Sequence, residues 1–256
     1  MDLDAYLERI AWRGARSATP EVLAGIVAHH VRAVPFENFD VLLGRGVSID
    51  LPAVEAKLVR ARRGGYCFEH ATLMAAALRE LGFEVRTHSA RVVMKSPREL
   101  APRTHMLLTV GDVVLDPGFG GQAPGVPVPL DGAPAGEHRF VRDGDAHALE
   151  MRDGEGWARL WVTTLEHDQA IDFQMANHYT ATYPTSPFVT NLLAQSRRGG
   201  VRVGIANRAV TITEGGQTRR LELADRAALR ELVAAHFGFD LPELLALRVP
   251  SVPEWS

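Results

Sequence analysis

The sequence predicts an α+β protein in three parts. Apolar residues recur at helical spacing through the first 83 positions. The chain then switches to alternating apolar runs separated by Gly-, Pro- and Asp-rich turns. The last part mixes four short strands with one helix. The boundaries read as 1–83, 84–189 and 190–256.

Within the first part, Thr19-Pro20 opens a helix, because Thr caps and Pro suits the first helical position. Leu23, Ile26, Val27, Val31 and Val34 carry its apolar stripe, and Pro35 ends it near Val34. A further helix is expected from Pro52 to about Arg62, ahead of Gly64-Gly65. The next starts near Cys67 and runs to Leu81, where Gly82 stops it. Its stripe is Ala71, Met74, Ala75, Leu78 and Leu81. In the second part, Val85–Met94, His105–Leu115, Ala146–Met151 and Trp157–Thr163 read as strands, with a Pro/Gly-rich connector from Pro124 to Pro134. In the third, strands near Leu192–Ser196, Val201–Ile205, Ala209–Thr213 and Thr218–Leu223 precede a helix from Asp225 to Phe237, stopped by Gly238.

The composition, 46% hydrophobic and 23% charged over 256 residues, is that of an ordinary globular chain. A net charge of −3 argues against a general nucleic-acid or anionic-membrane surface. Arg60, Arg62 and Arg63 form a short basic cluster that reads as a solvated helix end. The start of the chain, Met1-Asp2-Leu3-Asp4, is acidic where a signal peptide is basic, and no apolar stretch is long enough to span a bilayer. The expectation is a soluble, cytoplasmic protein. No segment matches a P-loop, a dinucleotide glycine motif or a zincin helix, and one cysteine cannot build a multi-cysteine metal site, so no metal is expected.

That cysteine, Cys67, follows Arg63-Gly64-Gly65-Tyr66 at the predicted head of a helix. Free backbone N–H groups and the positive end of the helix dipole favour an anion there. From these features alone Cys67 is either a nucleophile or an inert small hydrophobe. Its base is sought in a hairpin. Gly111-Asp112 separates two apolar runs, and centring the turn there pairs 110 with 113, 108 with 115 and 107 with 116. Period two then puts Met106, Leu108, Val110, Val113 and Leu115 on one face, and His105, Leu107, Thr109, Val114 and Asp116 on the other. Asp116 becomes the diagonal neighbour of His105, placed to take the imidazole N–H and fix its tautomer. The alternative is a surface histidine and a turn aspartate. His70, three residues beyond Cys67 on the same helix, is a rival base.

These residues resemble the arylamine N-acetyltransferase family nearly end to end. The matching stretches are Tyr6-Leu7-Glu8-Arg9-Ile10, Val34-Pro35-Phe36-Glu37-Asn38, Arg63-Gly64-Gly65-Tyr66-Cys67-Phe68-Glu69, Ala90-Arg91-Val92, Thr104-His105-Met106-Leu107-Leu108 and Asp116-Pro117-Gly118-Phe119-Gly120-Gly121. Two more follow: Asp172-Phe173-Gln174-Met175-Ala176-Asn177-His178-Tyr179-Thr180 and Pro184-Thr185-Ser186-Pro187-Phe188.

The resemblance implies a helical first domain carrying the nucleophile, a β-barrel-like second, an α/β lid, and a cysteine-protease-like core. It further implies a catalytic triad of Cys67, His105 and Asp116, with Phe36, Thr104 and Phe119 lining the acyl and amine pocket. Tyr179 and Thr185 would lie along the groove for coenzyme A. The implied activity is ping-pong transfer of acetyl from acetyl-coenzyme A to arylamines, hydrazines or hydroxylamines. An amide synthase acting on a polyketide chain from an acyl carrier protein, and a cysteine hydrolase, use the same chemistry. Two positions depart from the family: Ala71 stands where Asn is usual and Pro117 where a small apolar residue is usual.

Overall fold

The structure is a computed structural model and describes residues 1–255. Seven elements lead from the amino terminus through the nucleophile helix: α1 (Leu3–Arg9), α2 (Pro20–Ala33), β1 (Phe36–Glu37), α3 (Phe39–Leu42), α4 (Leu51–Glu55), a π-helical turn (Ala56–Arg60) and α5 (Cys67–Glu80). The helix signals act as read. The Thr19 hydroxyl accepts the Val22 N–H, and extended Val34 ahead of Pro35 ends α2. Gly82, at φ +90°, takes the left-handed conformation that stops α5.

The strands β2 (Val85–Val92), β3 (Arg103–Val110), β4 (Val113–Leu115), β5 (Val128–Pro129), β6 (His138–Asp143), β7 (Ala146–Asp153) and β8 (Gly156–Thr163) form one antiparallel sheet. Its order is β5-β4-β3-β2-β8-β7-β6, and the two edge strands lie against each other, so the sheet is nearly closed. β6 carries no strong sequence signal. Phe140 is fully buried and Arg142 exposed, and only Phe140 and Val141 of its six residues are apolar, so no alternation marks it. After α6 (Ala170–Thr182) and α7 (Pro187–Thr190) come β9 (Leu193–Ser196), β10 (Arg202–Ala206), β11 (Ala209–Glu214), β12 (Gln217–Glu222) and α8 (Arg226–Phe237). The second sheet runs β1-β9-β10-β11-β12, so two residues from the first part of the chain form its edge.

The β3–β4 hairpin has the predicted register, with Val110 opposite Val113 and Leu108 opposite Leu115. The consequence for packing is also as predicted. Met106, Leu108 and Leu115 pack into the helical core with α5, whereas Leu107 and Val114 pack inside the barrel with Trp161 and Phe140. A third core joins Phe39 and Leu42 to β9–β11 and α8. Among the described residues, no helix is long and apolar enough to cross a membrane, and no cluster of side chains is arranged to hold a metal ion.

Buried in the helical core, Tyr6, His30 and His70 form a hydrogen-bonded row, with Tyr6 Oη to His30 Nδ1 at 3.0 Å and His30 Nε2 to His70 Nδ1 at 3.0 Å. Burial holds both imidazoles neutral: His30 lies well below the usual histidine range, and His70 is pushed down to about 4. As pH falls below 6.5 the unfolded chain takes up protons that the folded chain refuses, so stability drops. The expected loss at pH 5 relative to pH 7 is on the order of 2 kcal/mol for each such histidine. Urea unfolding at the two pH values measures it, and a His30→Gln, His70→Gln double variant should lose most of this dependence.

Candidate active site

Cys67 is the first residue of α5 and is almost fully buried. Two contacts set its place. The Gly118 backbone lies directly on it, since a Cβ added at Gly118 would sit 2.5 Å from the Cys67 Cα. The Cys67 thiol also donates to the Thr104 carbonyl at 3.7 Å. That carbonyl is aimed by a β-bulge. Ala90 pairs with His105 and Arg91 with Arg103, which leaves Thr104 as the extra residue on β3. Next to the bulge, Arg103 is tied to Asp168 at 3.0 Å and to the Ser89 hydroxyl at 2.7 Å.

His105 follows the bulge and points into the barrel. Its Nε2–H donates to Asp116 Oδ2 at 2.9 Å, and the Cys67 side chain hydrogen-bonds the ring, which leaves Nδ1 as the nitrogen facing sulfur. Burial on its own would strip the ring of its proton. The Asp116 carboxylate, by charge and by hydrogen bond, outweighs burial, and with Cys67 raises the histidine to about 10. Asp116 is itself fully buried. The Trp161 indole N–H donates to the same Oδ2 at 2.8 Å, and the Gly118 N–H to Oδ1 at 3.3 Å. Hydrogen-bond donors thus reach both carboxylate oxygens although Ala71 offers no amide and Pro117 no N–H. The Ala71 methyl is simply part of the helical core.

Trp161 was not singled out by the sequence, although a buried indole in a barrel strand needs an acceptor. A second omission is the ionic network under the first turn of α5. The Glu69 carboxylate accepts the Tyr66 N–H at 3.0 Å and the Lys57 ammonium at 2.8 Å. Lys57 also reaches Asp40 at 2.8 Å, and Arg63 bridges Asp40 at 2.8 Å and Glu37 at 2.7 Å. Arg63 is therefore not part of a solvated helix end, whereas Arg60 and Arg62 are exposed. Burial, reinforced by the nearby Glu37 charge, pushes Glu69 up to about 7 against the pull of Lys57.

The pocket residues are only partly gathered. Phe119 meets His105 edge-on at 5.0 Å. Phe36 stacks on His70 at 6.5 Å and leans on Phe188 at 6.1 Å. Tyr179 and Thr185 lie elsewhere. Asn177 of α6 faces Tyr66, which hydrogen-bonds to it. Helical rotation carries Tyr179 about 200° from that direction, where it stacks on Tyr183 at 4.4 Å, and Thr185 is exposed before α7. His70, the rival base, is turned away from the sulfur. Its Nε2 serves the Pro35 and Gly65 carbonyls and its Nδ1 serves His30.

Comparison with known proteins places this site in a family. The N-acetyltransferase family profile matches residues 19–245. The chain belongs to the arylamine N-acetyltransferase family. The arylamine N-acetyltransferase of Mycobacterium tuberculosis is 38% identical to it, over 95% of this chain and 91% of that protein. The solved structure of Mycobacterium marinum arylamine N-acetyltransferase superposes with a TM-score of 0.89 at 33% identity, covering 95% of this chain and 94% of that one. The Mycobacterium marinum arylamine N-acetyltransferase structure in complex with CoA superposes at 0.88, also at 33% identity, with coverage of 95% and 94%.

Of the glycines just after Asp116, Gly118 alone is pressed against backbone, that of Cys67. Gly118→Ala drives a methyl group into the Cys67 backbone, which cannot yield without shifting the head of α5. The expected result is a fall of about 100-fold in activity at the thiol, with thiol alkylation rates as the check. A variant that alkylates like wild type would show that the contact relaxes freely.

Proposed function

We propose that this protein moves an acetyl group from acetyl-coenzyme A to an arylamine, hydrazine or hydroxylamine through an acetyl-cysteine at Cys67. The observation that carries this reading is a buried thiol at a helix head, in contact with an imidazole whose far nitrogen is held by a buried carboxylate. The nucleophile in such chemistry is the thiolate. An imidazole that keeps its proton up to about pH 10 is the counter-ion for that thiolate as it forms.

In the first half-reaction Cys67 attacks the thioester carbonyl. Backbone N–H groups of the first turn of α5 take the developing oxyanion. His105 gives its proton to the departing coenzyme A sulfur as the old carbon–sulfur bond breaks, and the acetyl group remains on Cys67. In the second half-reaction the amine nitrogen attacks that acetyl carbon. The neutral His105 takes the amine proton. Collapse breaks the Cys67–acetyl bond and restores the thiolate–imidazolium pair, with the amide released. Asp116 keeps Nε2–H toward itself throughout, so Nδ1 alone shuttles the proton. Phe36, Phe119 and the Thr104 backbone form the pocket wall. Tyr179 stands on the open surface of α6 and Thr185 in the exposed loop between α6 and α7, where only the outer part of a long donor would reach them.

The decisive measurement is mass mapping after incubation with acetyl-coenzyme A and no amine. An added acetyl group on the Cys67 peptide, discharged by an arylamine, is expected. An unmodified peptide would refute the reading. Loss of acetyl-coenzyme A that is independent of amine would make the protein a hydrolase, and acylation only from a carrier-bound long chain would make it an amide synthase.

A further inference from the structure

The Tyr6–His30–His70 row ends at the site. His70 Nε2 lies 3.1 Å from the Pro35 carbonyl and 3.2 Å from the Gly65 carbonyl. Carbonyls only accept, so Nε2 must carry the proton. The neutral ring then offers Nδ1 as an acceptor, His30 must donate from Nε2, and Tyr6 must donate its hydroxyl proton to His30 Nδ1. One end of the row thus dictates the tautomer of every member, with no surplus donor at any link.

The two carbonyls at its end belong to segments that matter. Pro35 precedes Phe36, and Gly65 precedes Tyr66-Cys67. The segments bridge each other directly: Gly65 N–H donates to Pro35 O at 3.2 Å and Glu37 N–H to Gly65 O at 2.9 Å. A Cβ at Gly64 would lie 2.2 Å from Pro35 O, so the approach is as close as backbone allows. The His70 ring also lies under the Phe36 ring, with the planes 23° apart.

We propose that His70 is a positioning residue for the acyl-transfer site, clamping the Phe36 pocket wall to the two-glycine approach to Cys67. The inference rests on the reading of Cys67 as acyl carrier. Its essential atom is the Nε2–H. Cys67 keeps its other supports, α5 and Gly118, so loss of the clamp moves Phe36 more than the sulfur. The amine pocket suffers first and acylation of the thiol second.

Two substitutions separate this role from mere filling of the core. His70→Gln keeps a donor where Nε2 stood, whereas His70→Asn keeps an acceptor toward His30 and reaches neither carbonyl. His70→Asn should raise the amine KM about tenfold, the cost of a lost buried hydrogen bond, while the acetylation rate of Cys67 stays within about threefold. His70→Gln should restore the amine KM. Equal amine KM values for the two variants would overturn the proposal. Nitrogen-15 spectra of the histidines in the wild-type protein add a test that needs no variant to fold. His70 should be the neutral Nε2–H tautomer at pH 7, and an Nδ1–H tautomer would also overturn it. Wild type that forms no acetyl-cysteine defeats the proposed function instead, and the spectra tell the two failures apart.

Discussion

Cys67→Ser is expected to lower acetyl transfer by at least about 10⁴-fold, with folding intact. The substitution exchanges one atom and keeps the buried volume nearly unchanged, so the helical core and the Gly118 contact survive. What changes is the nucleophile. The sulfur has a helix head on one side and, on the other, a ring that holds its proton to about pH 10. An alcohol does not ionise under these conditions, so the ring remains protonated and has no vacancy to accept the hydroxyl proton. Serine is therefore weak both as a nucleophile and in its coupling to the base. Acetylated protein should vanish from the mass map while the melting temperature stays within a few degrees. A serine variant with one tenth of wild-type turnover would show that ionisation at position 67 is not what the site provides.

Asp116→Asn is the second large effect, on the order of 10⁴-fold in kcat. The carboxylate accepts from His105 and Trp161 on one oxygen and from Gly118 on the other. An amide is nearly the same shape but carries only one acceptor oxygen. If that oxygen stays with Trp161 and His105, the NH₂ group must replace Oδ1 and oppose the Gly118 N–H. If the amide flips, two donors face the indole and the imidazole. Either way the charge that sustains the imidazolium is gone, and the His105 pKa falls from about 10 toward or below the ordinary histidine range, because burial is left as the dominant influence. The sign for stability follows. A raised histidine contributes stability fully below pH 6.5 and loses it as pH rises through about 10, so wild type should weaken across that window and the variant should not. Stopped-flow acylation between pH 6 and 10, together with unfolding over the same range, checks both statements. Retention of the wild-type pH dependence would mean that Asp116 does not set the charge state of the ring.

Much of this site was legible in the sequence because it depends on local rules. Parity across the Gly111-Asp112 turn put His105 and Asp116 on one face and the helix-packing residues on the other, and the register bears this out. A cap and two prolines located the ends of α2, and one glycine the end of α5. What stayed hidden depends on partners far away in the chain. Trp161 reaches Asp116 across 45 residues. Arg63, apparently one of three surface cations, is drawn inward by Glu37 and Asp40, 26 and 23 residues earlier. His70 reads as a base because it sits one turn from Cys67, yet its ring is claimed by His30 and two backbone carbonyls. Spacing along a helix tells which residues share a side, and only packing tells what each side meets.

The two residues of β1 have a consequence for how the protein is made. Phe36 and Glu37 are bonded on one flank to Gly65 and on the other to β9, more than 150 residues later, and the Asn38 amide donates to Phe188 and Asn191. During synthesis the amino-terminal helices emerge with their thiol long before that second flank exists. The reaction chamber consequently stays unfinished, one wall missing, until the final third of the polypeptide has left the ribosome and docked.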